Sequence, residues 1–296
     1  MTRFIDEAYK RFNGLRLIVF SGGECFLLGD DLFKAISHAS ALGLQTRCVS
    51  NGYWGKTSKQ AATNADKLRK AGISEMNFST GKDHVEWVPL TSVIGAASAL
   101  ADADIPVLIT VEQDSDESTI AAQLLENPVV ANLRKKEKLQ VQFNSWMPFY
   151  DTSEERKTIE HRDRQLRTGC DQVFENVVLT PHHEISACCG LTFEHIPEMK
   201  LGRYETGSLF ADYTAQHDDF MKVWLRTEGP YSILEQILPE GHALDLKNIV
   251  HPCQACAHIH TDSQLRQELS NKFVDVVVPV SKRFNALATL DLIYKC

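Results

Sequence analysis

Strand-like apolar runs recur along the first half of the chain at a nearly constant spacing. They begin near residues 15, 46, 75, 105 and 139, with segments of helical spacing between them. This spacing of about 30 residues is the length of one strand plus one helix, which predicts repeated βα units. The runs show no clean polar alternation, so we expect a parallel sheet that is covered on both faces. A (β/α) barrel or a doubly wound α/β sheet is the predicted architecture.

The repeat opens on a helix rather than on a strand. Phe4, Ala8 and Phe12 share one face of a helical pattern that precedes the first strand-like run. A βα repeat that begins in this way lacks its first strand. We therefore expect an incomplete barrel.

The periodicity ends after Phe143. The segment Asp151–Arg167 is densely charged and predicts an exposed helix or linker, so we place a domain boundary there. Residues 1–150 form the first predicted domain and residues 151–296 the second. The second is expected to be a smaller α+β domain, because it holds a short strand-like run, an amphipathic stretch and most of the clustered cysteines.

Composition excludes several classes of partner. The 296 residues carry a formal net charge of −8, which argues against nucleic-acid binding by bulk charge. No apolar run approaches the roughly 18 residues that span a bilayer. Asp6 and Glu7 lie where a signal peptide needs an apolar segment, so we expect a cytoplasmic protein. Eight cysteines in a reducing compartment point to metal or redox chemistry rather than to a disulfide scaffold.

Polar segments that contain glycine follow the strand-like runs. In parallel sheets and barrels, ligands bind at the carboxyl ends of the strands. Paired glycines leave main-chain groups open to a ligand, and a glutamate there would accept hydrogen bonds from an ammonium group. These residue types also make ordinary turns, which is the alternative interpretation. The candidate ligand-binding residues are Gly22, Gly23, Glu24, Ser50, Asn51 and Ser79.

Cysteines of the second half form another constellation. Cys253 and Cys256 are separated by two residues, so both sulfurs can face one metal centre. Cys188 and Cys189 follow a strand-like run, and Cys170 lies upstream of it. Four thiolates from these positions would suit a 4Fe-4S cluster or a tetrahedral zinc ion. Histidines lie near Cys253 and Cys256, so a Cys/His zinc site is a second alternative. Thiols that only pack in a core are the third alternative.

Acidic and imidazole side chains follow the third and fourth strand-like runs. Asp83, His84 and Glu86 come after the third, and Glu112 ends the fourth. At adjacent strand ends, such groups could hold a divalent metal or transfer protons. A helix cap with solvated charges is the alternative, and we favour it.

Three segments of the first half resemble the core of the radical S-adenosylmethionine enzymes. They are FSGGECFLLGDDLF, CVSNGYWGKT and LRKAGISEMNFSTGKDH, and their order and spacing agree with that family over about residues 1–145. The resemblance implies a partial TIM-like (β/α)6 barrel that lacks its first strand. It implies that Gly22–Glu24 meet the methionine amino group of S-adenosylmethionine. Ser50 and Asn51 match the strand end that holds this cofactor, and Ser79 matches the residue that contacts ribose.

The second half resembles the SPASM or twitch extensions of the same family, which hold auxiliary iron–sulfur clusters. Cys170, a strand, Pro181, Cys188 and the later Cys253–Cys256 motif follow their pattern. His183 stands where those extensions have glycine, and the full set of SPASM cysteines is not present. The resemblance therefore implies one auxiliary 4Fe-4S cluster rather than two.

The chain departs from the family at its defining motif. No Cys-x-x-x-Cys-x-x-Cys sequence, which holds the family's catalytic cluster, occurs in these residues. In the family that loop precedes a helix like Phe4–Phe12, which is where this chain starts. We therefore expect a truncated enzyme or a degenerate member, which binds S-adenosylmethionine weakly and cleaves none.

The resemblance also implies a function for the full-length form. It is an iron–sulfur oxidoreductase that generates a 5′-deoxyadenosyl radical and modifies a peptide or a small metabolite. Its electrons would come from a donor such as a flavodoxin or a ferredoxin. Two alternatives stay open. One is a non-enzymatic metal- or peptide-binding module derived from this scaffold, and the other is a zinc-dependent (β/α) hydrolase that uses Asp83, His84 and Glu112.

Overall fold

The computed structural model describes residues 1–112, 119–145, 166–190 and 193–294. The chain divides into two compact units, Met1–Trp146 and Met147–Cys296. The predicted boundary between residues 150 and 151 lies outside the described residues, as does most of the charged segment Asp151–Arg167. Each unit is therefore described by itself.

The first unit alternates strands and helices, and its strands coincide with the strand-like runs of the sequence. The strands are β1 (Leu17–Phe20), β2 (Gln45–Ser50), β3 (Glu75–Thr80), β4 (Val107–Glu112) and β5 (Leu139–Asn144). The helices are α1 (Thr2–Arg11), α2 (Asp30–Ala41), α3 (Ser58–Ala71), α4 (Lys82–Val85), α5 (Leu90–Asp102), α6 (Thr119–Glu126) and α7 (Pro128–Lys135). Short 3-10 turns after β1 and β2 span Cys25–Leu28 and Tyr53–Lys56. The predicted α/β class with a parallel sheet is confirmed.

Local sequence signals set the ends of these helices. The hydroxyl of Thr57 accepts a hydrogen bond from the backbone N–H of Gln60 at 3.3 Å, which caps the start of α3. The same helix ends before Gly72, whose φ of 81° is a left-handed conformation that favours glycine. The helix α1 buries Phe4 and Ala8 on one face, as their spacing predicts.

The strand order decides between the two predicted sheet architectures. Neighbouring strands are all parallel, and their order across the sheet is their order in the chain. Because crossover connections are right-handed, an order without reversal places the connecting helices on one face. A doubly wound sheet reverses its order and has helices on both faces, so that alternative is wrong for this unit. In the described residues the sheet is open, with β1 and β5 as its edges.

The two faces of this sheet differ in polarity. Side chains alternate between the faces along each strand, and paired residues of neighbouring strands share a face. Within the described residues of this unit, one face is predominantly apolar and packs against the helices, which differs from the expectation of two apolar covered faces. That face includes the buried register row of Phe20, Cys48, Met76, Val107 and Leu139. The opposite face, called the polar face below, carries Arg47, Glu75, Asn77, Ser79, Thr110, Gln140, Gln142 and Asn144.

The second unit combines a small antiparallel sheet with helices. Its strands, in spatial order, are β6 (Val178–Leu179), β7 (Glu184–Ser186) and β8 (Lys200–Arg203). Its helices are α8 (Leu209–Ala215), α9 (Phe220–Glu228), α10 (Pro230–Ile237), α11 (Pro252–Thr261) and α12 (Ser263–Tyr294). Its core includes Trp224, Ile233, Leu234, Ile249 and Ile259. Among the described helices of the whole chain, none is long and apolar enough to cross a membrane.

Candidate functional site

Glu24 lies just beyond β1, at the edge of the sheet where the strands end, which we call the carboxyl edge. Its Oε1 accepts hydrogen bonds from the backbone N–H of Phe26 at 3.1 Å and from the Ser50 hydroxyl at 2.9 Å. Its Oε2 accepts a hydrogen bond from the backbone N–H of Asn51 at 2.9 Å. Three donors from separate positions hold the carboxylate in one orientation, so its negative charge is fixed before a ligand arrives.

Ser50 supports Glu24 from behind. It is the last residue of β2, and its side chain is buried. Its hydroxyl donates to Glu24 and accepts hydrogen bonds from the N–H of Gly52 at 3.1 Å and the indole N–H of Trp54 at 3.3 Å. One donor and two acceptor sites are the full capacity of a hydroxyl group. Ser50 is therefore fully engaged within the protein and positions Glu24.

Gly22 and Gly23 form the open part of this edge. Both are exposed, and a Cβ atom added to either would meet no other atom within 4 Å. Gly22 has a φ of 109°, which side chains disfavour. The main chain beside Glu24 can therefore be approached closely by a ligand.

Asn51 and Ser79 complete the predicted set. The side-chain oxygen of Asn51 accepts a hydrogen bond from the backbone N–H of Tyr53 at 3.0 Å. Ser79 is the next-to-last residue of β3 and is partly exposed on the polar face, in register with Thr110. The structure thus joins Glu24 and its neighbours on β2 in one hydrogen-bond network, and it places Ser79 on the adjacent strand.

The polar face continues from this edge across the strands. Arg47 of β2 forms an ion pair with Glu75 of β3. The Thr110 hydroxyl donates a hydrogen bond to the side-chain oxygen of Asn77 at 3.1 Å. These groups of the face are therefore neutral or paired, and Glu112, in register with Asn144, adds a buried carboxylate at the carboxyl edge. The sequence analysis did not find this surface, because it depends on strand register.

Cys25 and Cys48 lie in the core next to Glu24. Both thiols are buried, and the Cys25 thiol donates a hydrogen bond to the carbonyl oxygen of Val49 at 3.2 Å. A side-chain hydrogen bond with Cys48 and burial raise the pKa of Cys25 above its usual range. Cys48 and Cys25 therefore both belong to the packed core of the first unit.

His84 and Glu112 meet where β3 and β4 end. The Nδ1 atom of His84 is 3.9 Å from Oε2 of Glu112, whose side chain is completely buried. The favoured interpretation of these residues as solvated charges is therefore wrong for Glu112. Gly81, and not Asp83, stands at the N-cap of α4.

Four cysteines of the second unit line one small apolar cavity. They come from distant parts of the sequence, because the chain crosses this region before β6, after β7 and at the start of α11. The apolar side chains around them include Val173, Ile196, Met199 and Leu225. The four are Cys170, Cys188, Cys253 and Cys256.

The same four sulfurs affect one another electrostatically. Burial raises the pKa of the Cys188 thiol to about 12; the Gly190 N–H opposes this rise, and Cys170 and Cys253 add to it. Burial also raises the pKa of Cys256 well above its usual value, with further contributions from Cys253, Cys170 and Cys188. The protein therefore favours the neutral thiol form of Cys188 and Cys256. A metal centre would have to displace their protons on binding.

The start of α11 and Gly190 shape the wall of this cavity. Pro252 opens α11, and Nδ1 of His251 accepts a hydrogen bond from the backbone N–H of Cys253 at 3.1 Å. A Cβ atom at Gly190 would lie 2.9 Å from the sulfur of Cys253 and 3.4 Å from that of Cys188. Glycine at position 190 therefore leaves room around both sulfurs. The sequence analysis missed this residue, although it directly follows the cysteine pair.

Cys189 is not among the residues that line the cavity. Its thiol donates a hydrogen bond to the side-chain oxygen of Gln172 at 2.9 Å, and the residue is exposed. Of the two adjacent cysteines that the sequence could not separate, Cys188 is therefore the one that lines the cavity.

The donor geometry bears on the kind of metal centre. In the described residues, no three His, Cys, Asp or Glu side chains lie close enough to share a single metal ion. This holds for the Asp83, His84 and Glu112 set as well as for the cysteines.

No protein-family profile matches the chain, and no curated protein matches it significantly.

Proposed function

We propose that this chain is a radical S-adenosylmethionine scaffold that holds one auxiliary 4Fe-4S cluster. The convergence of four distant thiols on one cavity carries the proposal. Cys170, Cys188, Cys253 and Cys256 line that cavity, and Cys189 does not. Thiols gathered in this way are the donor set of an iron–sulfur cluster.

The geometry favours a cluster over a mononuclear zinc ion. A tetrahedral zinc ion bound by thiolates at about 2.3 Å draws the sulfurs to within roughly 4 Å of one another. The described residues offer no such compact group. In a 4Fe-4S cluster each thiolate binds its own iron, so the sulfurs stay at the periphery of the site. The sulfurs of Cys253 and Cys188 lie next to Gly190, where the absence of a side chain lets the main chain come close to them.

The first unit supplies a site for the amino-acid end of a sulfonium nucleotide. The fixed carboxylate of Glu24 attracts an ammonium group, and the bare main chain at Gly22 and Gly23 lets it approach. The sequential strand order, with helices on one face and polar groups on the other, supports a partial barrel whose inner face is the polar face.

Together, a bound cluster and the nucleotide supply one-electron chemistry on a peptide or small metabolite, with electrons from a flavodoxin- or ferredoxin-like donor. The role of the chain's own residues is to orient the ammonium group, to hold the cluster and to exclude water from it. Because these residues contain no Cys-x-x-x-Cys-x-x-Cys motif, we propose that they bind the nucleotide without cleaving it. The same absence favours the second candidate, a non-enzymatic metal- or peptide-binding module.

Anaerobic reconstitution of the chain tests the proposal. We expect about four irons and four sulfides per chain, with almost none in a Cys256→Ser variant. The matched control is Cys189→Ser, which should keep the full content because Cys189 lies outside the cavity. Zinc without sulfide, or equal loss in both variants, would contradict the cluster.

Isothermal titration calorimetry with S-adenosylmethionine tests the proposed nucleotide site of the first unit. We expect measurable binding that Glu24→Gln weakens at least tenfold, because the ammonium group loses its counter-charge. The control is Glu86→Gln, which removes an exposed carboxylate of the same unit. Binding that is equal in both variants would contradict the nucleotide site. Formation of 5′-deoxyadenosine by the reduced chain would contradict the claim that it cleaves none, and would also argue against the binding module.

A further inference from the structure

Arg226, in the last turn of α9, connects the segment that carries Cys170 to the rest of the second unit. Its Nη1 atom donates a hydrogen bond to the carbonyl oxygen of Cys170 at 3.2 Å. Its Nη2 atom donates to Oε1 of Glu175 at 2.8 Å, and this contact is also an ion pair. The Arg226 side chain is 23% exposed, so most of it is covered by protein. One guanidinium group therefore bridges both ends of the segment 170–175, which contributes three residues to the wall of the cysteine cavity.

The main chain before Cys170 is packed closely against the end of α9. The backbone N–H of Cys170 donates a hydrogen bond to the carbonyl oxygen of Leu225 at 2.9 Å. A Cβ atom at Gly169 would lie 2.1 Å from the carbonyl oxygen of Arg226, and one at Gly229 would lie 1.9 Å from that of Thr168. Side chains at these two positions would push the strands of main chain apart. The position of Cys170 is therefore set by the end of α9.

The charge of Arg226 matters because the cavity itself is uncharged. Among the described residues, those that line the cavity carry no charged side chain. Four thiolates outweigh the positive charge of an oxidised 4Fe-4S core, so the bound centre would be an anion, and reduction would add to its negative charge. An anion in apolar surroundings is costly unless a cation lies near it. The guanidinium of Arg226 is such a cation, one hydrogen bond away from Cys170.

We propose that Arg226 is a positioning residue that holds the thiol of Cys170 at the cavity and makes the proposed 4Fe-4S cluster easier to reduce. This inference rests on the proposed function. The contacts of Arg226 with Cys170 and Glu175 fix the segment that carries the thiol, as outer-shell groups orient metal ligands. Its positive charge favours the form of the site that has gained one electron from a flavodoxin- or ferredoxin-like donor, and so raises the midpoint potential.

Glu175 opposes the second of these effects. Its side chain is 44% exposed, and its carboxylate partly neutralises the guanidinium of Arg226. Removal of the positive charge should therefore lower the midpoint potential, whereas removal of the negative charge should raise it. A purely structural role of the ion pair would not produce shifts of opposite sign.

Redox titration of the anaerobically reconstituted chain, followed by visible absorption and electron paramagnetic resonance, tests the effect of charge. We expect a more negative midpoint potential in Arg226→Met and a more positive one in Glu175→Gln. Arg226→Lys keeps the positive charge and should stay close to the wild type. Arg203→Met is the matched control, because it removes an exposed arginine outside the wall of the cavity. Potentials that are unchanged in both Arg226→Met and Glu175→Gln would overturn the electrostatic role.

The release of iron to a chelator tests the positioning role. We expect iron to leave Arg226→Met about tenfold faster than the wild type, the lower end of the range for outer-shell substitutions. Circular dichroism of the metal-free variants checks that each is folded. Equal rates in Arg226→Met and in the wild type would overturn this role. A wild-type chain that takes up no iron and sulfide would instead contradict the proposed function, and this inference with it.

Discussion

At the scale of single residues, glycines decide where the candidate sites can form. Gly190 borders two sulfurs of the cysteine cavity, and Gly81 lets Glu112 approach the chain. The sequence shows both glycines, but their neighbours come from other segments. The same limit applies to Cys188 and Cys189, because the path of the chain after β7 decides which of them faces the cavity. The spacing of the Cys253–Cys256 motif, in contrast, was sufficient to predict that these two lie together.

Gly190→Ala tests the space around the sulfurs. The added Cβ would lie 2.9 Å from the sulfur of Cys253, so either the loop or the thiol must shift. We expect the iron content after reconstitution to fall by half or more, as measured by iron and sulfide analysis. Gly14→Ala is the matched control, because a Cβ atom there meets no atom within 4 Å. Full iron content in Gly190→Ala would show that the cavity tolerates the methyl group.

His260 of α11 contributes to the pH dependence of the stability of the folded chain. The residue is buried, and burial lowers its pKa, whereas Glu198 raises it. The folded chain therefore favours the neutral imidazole, and unfolding releases a group that binds a proton near pH 6.5. As the pH falls below about 6.5, the unfolded state takes up more protons and stability decreases.

When the pH falls from about 6.5 to 5, we therefore expect the melting temperature of the metal-free chain to decrease less in His260→Gln than in the wild type. His217→Gln is the control, because His217 is an exposed histidine of the same unit. Thermal unfolding followed by circular dichroism at several pH values makes the comparison. If the melting temperatures of both variants depended on pH in the same way, the proposed contribution of His260 would be contradicted.

At the scale of elements, local signals predicted the strands and the helix ends. Each strand-like run begins within a few residues of an observed strand, because its apolar residues face a helix-covered core. Thr57 and Gly72 mark the ends of α3, since capping and left-handed glycine act within a few residues of the chain. The polar face was not predicted, because its side chains share a surface only through the register of β2 to β5.

Thr57→Ala tests the cap of α3. Removal of the hydroxyl leaves the backbone N–H of Gln60 without this acceptor, which we expect to cost about 1 kcal/mol of unfolding free energy. Thr63→Ala is the control within the same helix. The Thr63 hydroxyl donates to the carbonyl oxygen of Lys59, and alanine is the better helix former there. Chemical denaturation should therefore show a loss for the first variant and none for the second.

At the scale of the whole molecule, the two units carry separate cores and separate candidate sites. The first core lies between the parallel sheet and its helices, and the second centres on the helices around Trp224. The cysteine cavity belongs wholly to the second unit, whereas Glu24 and the His84–Glu112 pair belong to the first. Binding at one site should therefore stabilise chiefly the unit that holds it.

Hydrogen exchange measured by mass spectrometry tests this separation. Loading of the chain with iron and sulfide should slow amide exchange in α11 and around Cys188, because metal binding contributes to the stability of the folded state. Exchange in β1 to β5 should stay unchanged. The Cys256→Ser variant under the same treatment supplies the control. Equal slowing in both units would mean that they do not respond independently.

The one-sided arrangement of helices on the parallel sheet has a consequence for how this protein can diversify. The packed layer that makes folding favourable and the layer that would meet a ligand occupy alternate positions of the same strands. A substitution at Gln140 or Gln142, for example, changes the second layer without opening a void in the first. New recognition properties can therefore accumulate in this scaffold at little cost to its thermodynamic robustness.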